Sequence, residues 1–74
     1  MKTYYEILKE LRVDNDFKQD TVAEYLQITK QQYSLYETGK REFKIHHIIK
    51  LCAFYKVSAD YIFSLPYDYK HPER

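Results

Sequence analysis

The chain has few of the residues that cross-link a polypeptide or interrupt its secondary structure: one Cys, one Gly and two Pro among 74 residues. A single Cys excludes an internal disulfide and a zinc site built from several cysteines, and it fits a reducing cytoplasm. No apolar run approaches the ~20 residues of a membrane-spanning helix, and Met1–Tyr4 carries no apolar signal region. These absences predict a cytoplasmic protein that does not enter a membrane and has no metal site.

The chain is also short, so it has room for one domain and no second one. A domain of this size is near the lower limit for a self-sufficient hydrophobic core, and dimerisation would add to its stability. Aromatic residues make up 18% of the sequence, with nine Tyr and no Trp. We therefore expect amphipathic rings to fill the core and part of the surface.

The charge is unevenly distributed, although the net charge is only +1. Residues 29–50 hold five Lys or Arg against two Glu, a net charge of +3, whereas residues 1–28 hold four basic and six acidic residues, a net charge of −2. A local basic patch can bind phosphate even when the whole chain is nearly neutral. The alternative is an ordinary solvated surface that happens to be basic.

Apolar residues recur at helical spacing and strand-like alternation is scarce, which predicts an all-α domain. Thr29 and Ser58 are suitable N-caps, Gly39 can end a helix in the left-handed conformation, and Pro66 opposes continuation past Leu65. The five predicted helices cover about residues 3–14, 19–26, 30–37, 45–55 and 59–64. The inner face predicted for the fourth helix consists of Ile45, Ile48, Leu51, Cys52 and Tyr55. In the fifth helix, Tyr61 and Ile62 are available for burial.

The second and third predicted helices form a distinctive pair. The small Ala23 lies in mid-helix, and a three-residue turn, Gln27–Thr29, leads into a helix with a polar outer surface. Two helices that cross steeply need a small residue at their contact and apolar anchors on either side of the turn. The anchors available are Val22, Leu26, Ile28, Tyr33 and Tyr36. This pattern predicts a helix-turn-helix.

An ordered set of motifs carries a resemblance to a known family. The matching residues are Leu11-Arg12, Phe17-Lys18-Gln19, Val22-Ala23, Leu26-Gln27-Ile28-Thr29, Tyr36-Glu37-Thr38-Gly39-Lys40-Arg41 and Val57-Ser58-Ala59-Asp60-Tyr61-Ile62. In these, the chain resembles the phage-repressor and Cro-like (xenobiotic-response-element type) helix-turn-helix family over about residues 4–65. The resemblance implies a compact five-helix domain of the lambda-repressor-like type over residues 1–65, with a C-terminal tail at 66–74. Gln27 and Lys56 depart from the family, which usually has Gly there.

The resemblance also implies a DNA site. In this family the third helix enters the major groove and its first residues contact base edges. The matching positions here are Lys30, Gln31, Gln32 and Leu35. A Gln amide can pair with the N6/N7 edge of adenine, and Lys can donate to guanine O6/N7. The expected contacts to the DNA backbone are Gln19, Thr29, Ser34, Lys40 and Arg41.

Other polar or reactive residues have structural interpretations. Arg12 and Glu37 match a pair that forms an ion pair between the first and third helices of the family. Leu35 could contact a thymine methyl or cover a partner subunit. Adjacent His46 and His47 point in different directions on a helix, which disfavours a metal site, although His47 could lie near a phosphate. Cys52 lies on the predicted buried stripe, where a thiol behaves as a small hydrophobe.

The function implied is a regulator of transcription that binds double-stranded DNA, with no cofactor or small-molecule ligand evident. It would be a repressor, a homodimer whose recognition helices lie about 34 Å apart on a palindromic operator. The alternative is a protein-interaction module, such as an antitoxin-like partner with the same fold. No arrangement of residues typical of an enzyme is present. The predicted dimer surface is the fifth helix with the tail residues 65–69, unless that end is simply frayed.

Overall fold

The chain folds into five short helices joined by tight turns. The computed structural model describes residues 2–64, within which no strand occurs. The helices are α1 (Tyr4–Asp14), α2 (Gln19–Leu26), α3 (Lys30–Glu37), α4 (Ile45–Tyr55) and α5 (Ala59–Ile62). The predicted all-α, five-helix class is confirmed, and the bounds of α2, α3 and α4 agree with those predicted. α5 ends two residues earlier than expected, before Ser64 with its left-handed backbone.

Side chains cap three of the five helices. Thr3 and Glu6 form a capping box at the start of α1, and Thr29 and Gln32 form another at the start of α3. The hydroxyl of Ser58 accepts a hydrogen bond from the amide of Tyr61 in α5. Each cap satisfies a backbone donor that has no partner inside the helix, and this fixes where the helix begins.

Residues in the left-handed backbone conformation lie at the ends of α2, α3 and α4. Gln27 (φ 61°) and Lys56 (φ 58°) adopt this conformation although glycine would be favoured there. Gly39 (φ 79°) follows α3, and the Tyr5 ring lies so close to it that a β-carbon at position 39 would overlap the ring. The turn at Gln27 brings α2 and α3 together as the predicted helix-turn-helix.

The core lies where α1, α2, α3 and the C-terminal helices meet. α3 packs against α2 and α1, and α5 packs against α1 and α4. Tyr33 is fully buried, while Tyr36 and Phe43 stack with ring centroids 5.1 Å apart. The remaining members of the buried cluster are Leu8, Val22, Ala23, Leu26, Ile48, Leu51 and Ile62. The inner face of α3 is therefore aromatic and buried in the core.

Three burial predictions need correction. Ile45, which was expected to face inward, is 77% exposed, because α4 turns Ile48 and Leu51 into the core instead. Tyr61 of α5 is exposed and only its neighbour Ile62 is buried. Cys52 is partly rather than fully buried, and burial raises the pKa of its thiol. The predicted tail contribution from residues 65–69 lies outside the described residues.

No helix between residues 2 and 64 is both long enough and apolar enough to cross a membrane.

Candidate nucleic-acid interface

The outer face of α3 is polar and accessible. Tyr33 and Tyr36 turn into the core, so the residues between them on the helix face outward. Lys30 and Gln31 are exposed in the first turn, and Ser34 and Leu35 are half-buried one turn later. The structure thus places four of the sequence-predicted DNA residues on one side of one rigid helix.

Gln32 has a local partner. Its side-chain carbonyl oxygen accepts a hydrogen bond from the amide of Thr29 at 3.2 Å, and the Thr29 hydroxyl accepts one from the amide of Gln32 at 3.1 Å. This reciprocal pair stabilises the first turn of α3. Gln32 and Thr29 were predicted to contact a base and the DNA backbone respectively, and in the structure both cap the start of α3.

Lys30 lies 3.9 Å from the Asp20 carboxylate, with both side chains well exposed to water. A pair of this length and exposure is weak, so it leaves Lys30 available to other anions. Gln31, beside it, is exposed, and its side chain makes no hydrogen bond within residues 2–64. The first turn of α3 therefore presents one cation and one amide to solvent.

Arg12 and Glu37 form an ion pair between α1 and α3. The Nη2 of Arg12 donates to Oε1 of Glu37 at 2.8 Å, its Nε lies 3.2 Å from both carboxylate oxygens, and its Nη1 donates to the carbonyl of Phe17 at 2.8 Å. The side chains are 13% and 2% exposed. Donating hydrogen bonds to the Glu37 carboxylate raises the pKa of Arg12, so the guanidinium stays charged.

Gln19 joins this pair. Its Nε2 donates to Oε2 of Glu37 at 3.1 Å, which ties the first residue of α2 to the last residue of α3. Gln19 was predicted to reach a DNA phosphate, and its side chain here points instead into the ion-pair network. Burial raises the pKa of the nearby Tyr33 hydroxyl, and raises that of Tyr55 to about 12, so both phenols stay neutral.

Lys40 and Arg41 follow Gly39 on the loop after α3. Their backbone amides both donate to the carbonyl of Leu35, at 3.0 and 3.1 Å, which fixes the loop against the last turn of the helix. Their side chains are exposed. Two cations therefore lie at the C-terminal end of the same helix that exposes Lys30 at its start.

Comparison with known proteins decides which family has this arrangement. A family model described as helix-turn-helix, of the Cro/C1 type, matches residues 8–62, which is most of the chain. The chain belongs to this helix-turn-helix family. The family is one of DNA-binding proteins and not of enzymes, which confirms both the resemblance noted from the motifs and the expectation that the chain is not an enzyme.

One relative is a Bacillus subtilis (strain 168) protein named as an SPbeta prophage-derived uncharacterized HTH-type transcriptional regulator, YonR. It is 37% identical over 57 residues, which cover 77% of this chain and 53% of the relative. The chain thus spans about half the length of that regulator. No solved structure matches the chain significantly.

Two lysines of the helix-turn-helix domain that were not predicted to contact DNA are further candidates for phosphate contact. Lys18 and Lys44 are the N-cap residues of α2 and α4, and within residues 2–64 neither helix start has a side-chain cap. Uncapped amides at a helix start favour anions, and a lysine beside them adds charge. The signal was present in the sequence, because Ser, Thr, Asp or Asn is missing from both positions.

His46 and His47 differ sharply within the same domain. His46 is exposed, whereas His47 is 4% exposed and packs beside the Tyr36 ring, 5.6 Å between centroids. Burial lowers the pKa of His47, and the positive charges of His46, Lys44 and Lys50 lower it further. A buried neutral imidazole is unsuited to phosphate contact, so the suggested phosphate role for His47 does not fit. Among residues 2–64 no group of His, Cys, Asp or Glu could hold a metal ion.

Proposed function

We propose that this protein is a sequence-specific regulator of transcription that inserts α3 into the major groove of double-stranded DNA. The observation that carries the proposal is the two-sided character of α3. Its inner face is fixed by buried Tyr33 and Tyr36, while Lys30 and Gln31 are exposed at its start. A rigid helix with free polar groups in its first turn is suited to reading base edges.

The proposed base contacts are Lys30 and Gln31, with Leu35 one turn on toward a thymine methyl. Gln32 supports them from its capping position, because its carbonyl oxygen is held by Thr29. Lys40 and Arg41 are proposed to contact phosphates on one side of the groove, with Ser34 beside them. The amide groups at the start of α2, at Gln19, would meet phosphate on the other side.

The regulator is proposed to act as a repressor. A homodimer would place its two α3 helices about one helical turn apart, roughly 34 Å, on the two halves of a palindromic operator. A small domain that covers this length of DNA can block a promoter by occupancy alone. This mechanism requires no cofactor or small ligand.

The proposal can be tested by selecting bound sequences from random duplex DNA. The selected site is then titrated with the protein at several salt concentrations. The affinity should fall steeply with salt, because each phosphate contact releases counterions. Lys40→Ala and Arg41→Ala should weaken binding to all sequences and each reduce the log–log slope by about one unit. Lys9→Ala on α1 is the control and should leave the slope unchanged.

Two results would contradict the proposal. One is the absence of an enriched sequence together with binding that does not depend on salt, which would favour the protein-interaction module considered above. The other is an unchanged slope in both the Lys40 and Arg41 variants, which would remove the phosphate role of the loop after α3.

A further inference from the structure

The outer face of α4 is apolar, although it faces water. Ile45 is 77% exposed and Ile49 is 64% exposed, and they lie four residues apart on the same side of the helix. Ala53, a further turn on, is exposed as well. The opposite side of α4 already fills the core through Ile48 and Leu51. We call Ile45, Ile49 and Ala53 the α4 outer face.

The neighbouring α5 adds exposed aromatic surface. α5 packs against both α4 and α1, and the Phe63 ring that follows it rests on Tyr4 with centroids 5.5 Å apart. Tyr61 and Phe63 nevertheless remain 55% and 43% exposed. Scattered single hydrophobic residues on a surface are normal, whereas several on two packed helices mark an interaction site.

We propose that the α4 outer face, flanked by Tyr61 and Phe63, binds the same face of a second copy of this chain. The inference rests on the proposed function in that it names the dimer surface of the proposed regulator. It differs from the surface expected from the sequence, because Ile45 was assigned to the core and the interface to α5 and the tail. DNA does not fit this face, since aliphatic side chains offer nothing to a phosphate.

The exposed apolar area fits a partner of this size. A stable interface buries about 800 Å² of surface on each partner. The exposed parts of four large side chains supply on the order of half of that area as a central apolar patch; these are Ile45, Ile49, Tyr61 and Phe63. A two-fold axis makes an interface self-complementary, so two antiparallel α4 helices would bring Ile45 near Ile49 of the partner subunit. The flanking polar residues, such as His46 and Lys50, would then form the rim.

The dimensions of the domain agree with this arrangement. The molecule measures 38 × 26 × 23 Å along its principal axes. Two such domains in side-by-side contact have centres separated by about their own width. This is compatible with the roughly 34 Å between successive major grooves on one side of DNA.

Sedimentation equilibrium of the full chain without DNA tests the surface. The wild type should reach twice its 9.1 kDa mass as its concentration rises. The Ile45→Lys/Ile49→Lys variant should stay monomeric, with a dimer dissociation constant raised at least about tenfold, because each dimer would bury four unpaired cations. At a concentration low enough for the wild type to be monomeric as well, the melting temperatures should agree, since both residues are exposed. Val13→Lys, at a half-exposed apolar residue of α1, is the matched control and should dimerise normally.

A charge-swap experiment tests whether the face pairs with itself. The Ile45→Glu/Ile49→Glu variant should also be monomeric alone, and mixing it with the Lys variant should restore a heterodimer. A wild type that stays monomeric, a Lys variant that dimerises normally, or a mixture that does not associate would each overturn the proposal. Loss of the dimer in a Tyr67→Ala/Tyr69→Ala variant alone would instead assign the interface to the tail.

DNA binding separates this inference from the proposed function. If both hold, the monomeric Lys variant should keep its affinity for an isolated half-site and lose affinity for the palindrome. If the wild type dimerises through this face but binds no DNA, the proposed function fails and the interface stands.

Discussion

Arg12 on α1 and Glu37 at the end of α3 are joined by three hydrogen bonds of 2.8 to 3.2 Å, two of which share the guanidinium Nε. The Glu37 carboxylate is almost completely buried and also accepts a bond from Gln19 on α2. Three helices thus meet at one carboxylate. This carboxylate therefore links α3 to both α1 and α2.

Removing either partner should destabilise the fold strongly. Arg12→Ala leaves the buried Glu37 carboxylate without its cation, although the bond from Gln19 remains, and a cost of about 3–5 kcal/mol is typical of a broken buried pair. Glu37→Ala should cost less, because Arg12 keeps its bond to the Phe17 carbonyl and some access to water. Thermal unfolding measures both, since each kcal/mol lowers Tm by about 4–8 °C in a domain of this size.

A double-mutant cycle tests the coupling directly. The Arg12→Ala/Glu37→Ala protein should lose less stability than the sum of the two single variants. Glu10→Ala is the control, because it breaks the exposed Lys2–Glu10 pair and should leave Tm nearly unchanged. Additive losses, or single variants that melt like the wild type, would show that the pair does not hold α1 and α3 together.

Gly39 should not tolerate a side chain. Its φ of 79° lies in the left-handed region, which costs about 1–2 kcal/mol for other residues, and the Tyr5 ring occupies the space that a methyl group needs. Gly39→Ala should therefore lower the free energy of unfolding by more than the backbone cost alone. Combining it with Tyr5→Leu separates the two causes, because the second change removes the ring contact and not the backbone strain.

At Gln27 the reverse change, from a larger residue to glycine, should relieve backbone strain. It adopts φ 61° without being glycine, so Gln27→Gly should raise the free energy of unfolding by about 0.5–1 kcal/mol after the added flexibility of the unfolded chain is counted. Lys56→Gly, with φ 58° at the end of α4, should behave alike. Chemical denaturation measures all of these variants. A stabilised Gly39→Ala, or destabilised glycine variants at 27 and 56, would contradict the assignment of strain.

The sequence was sufficient to place the helices because local signals mark their ends. Thr29 caps α3 and Gly39 follows it, so its bounds depend on chemistry within a few residues. The inward face of α3 was also predictable, since Tyr33 and Tyr36 are its apolar stripe. The ion pair of Arg12 and Glu37 was expected only from the family resemblance, because no local rule brings together residues 25 positions apart.

The rest depends on tertiary contacts. α4 is apolar on nearly every side, with Ile45, Ile48 and Ile49 in its first five residues, so helical periodicity does not decide which isoleucine is buried. Gln19 is suited to DNA contact by its residue type, and only the position of Glu37, which folding brings close, gives its side-chain amide a partner. The partner of Gln32 is local by contrast, because Thr29 and Gln32 have the spacing of a capping box. The contact of Tyr5 with Gly39 likewise has no sequence signal.

His47 should make stability depend on pH. Its pKa is lowered in the folded state, chiefly by burial, so the folded protein resists a proton that the unfolded chain accepts below about pH 6.5. The stability contributed by neutral His47 is complete above that pH and is lost as the pH falls toward the folded-state pKa. Its Nδ1 is buried and without a partner among residues 2–64, and the site lies in the first turn of α4, where positive charge is unfavourable.

The measurement is Tm between pH 8 and pH 5 for the wild type, His47→Gln and His46→Gln. His46 is exposed, so its variant should keep the wild-type pH dependence, whereas the His47 variant should lose less stability on acidification. Comparing the curves removes the contribution of carboxylates, which all three proteins share. Parallel curves for all three would assign the acid sensitivity to other groups.

Gln31 and Gln32 should differ in what they do, although they are adjacent and both exposed. Gln31 projects from the first turn of α3, whereas the carbonyl oxygen of Gln32 is held by the Thr29 amide at 3.2 Å. On the proposed function, Gln31→Ala should relax the preference at one operator position by about 1–3 kcal/mol and leave Tm unchanged.

Gln32→Ala removes half of a capping box and should lower the free energy of unfolding by up to about 1 kcal/mol. Its effect on DNA affinity should be similar for every sequence, because it weakens the helix and not one base contact. Gln32→Glu keeps the cap and is the matched control for stability. Binding to a panel of single-base operator variants, measured beside Tm, gives both readouts. A base preference that changes in Gln32→Ala and not in Gln31→Ala would reverse the two roles.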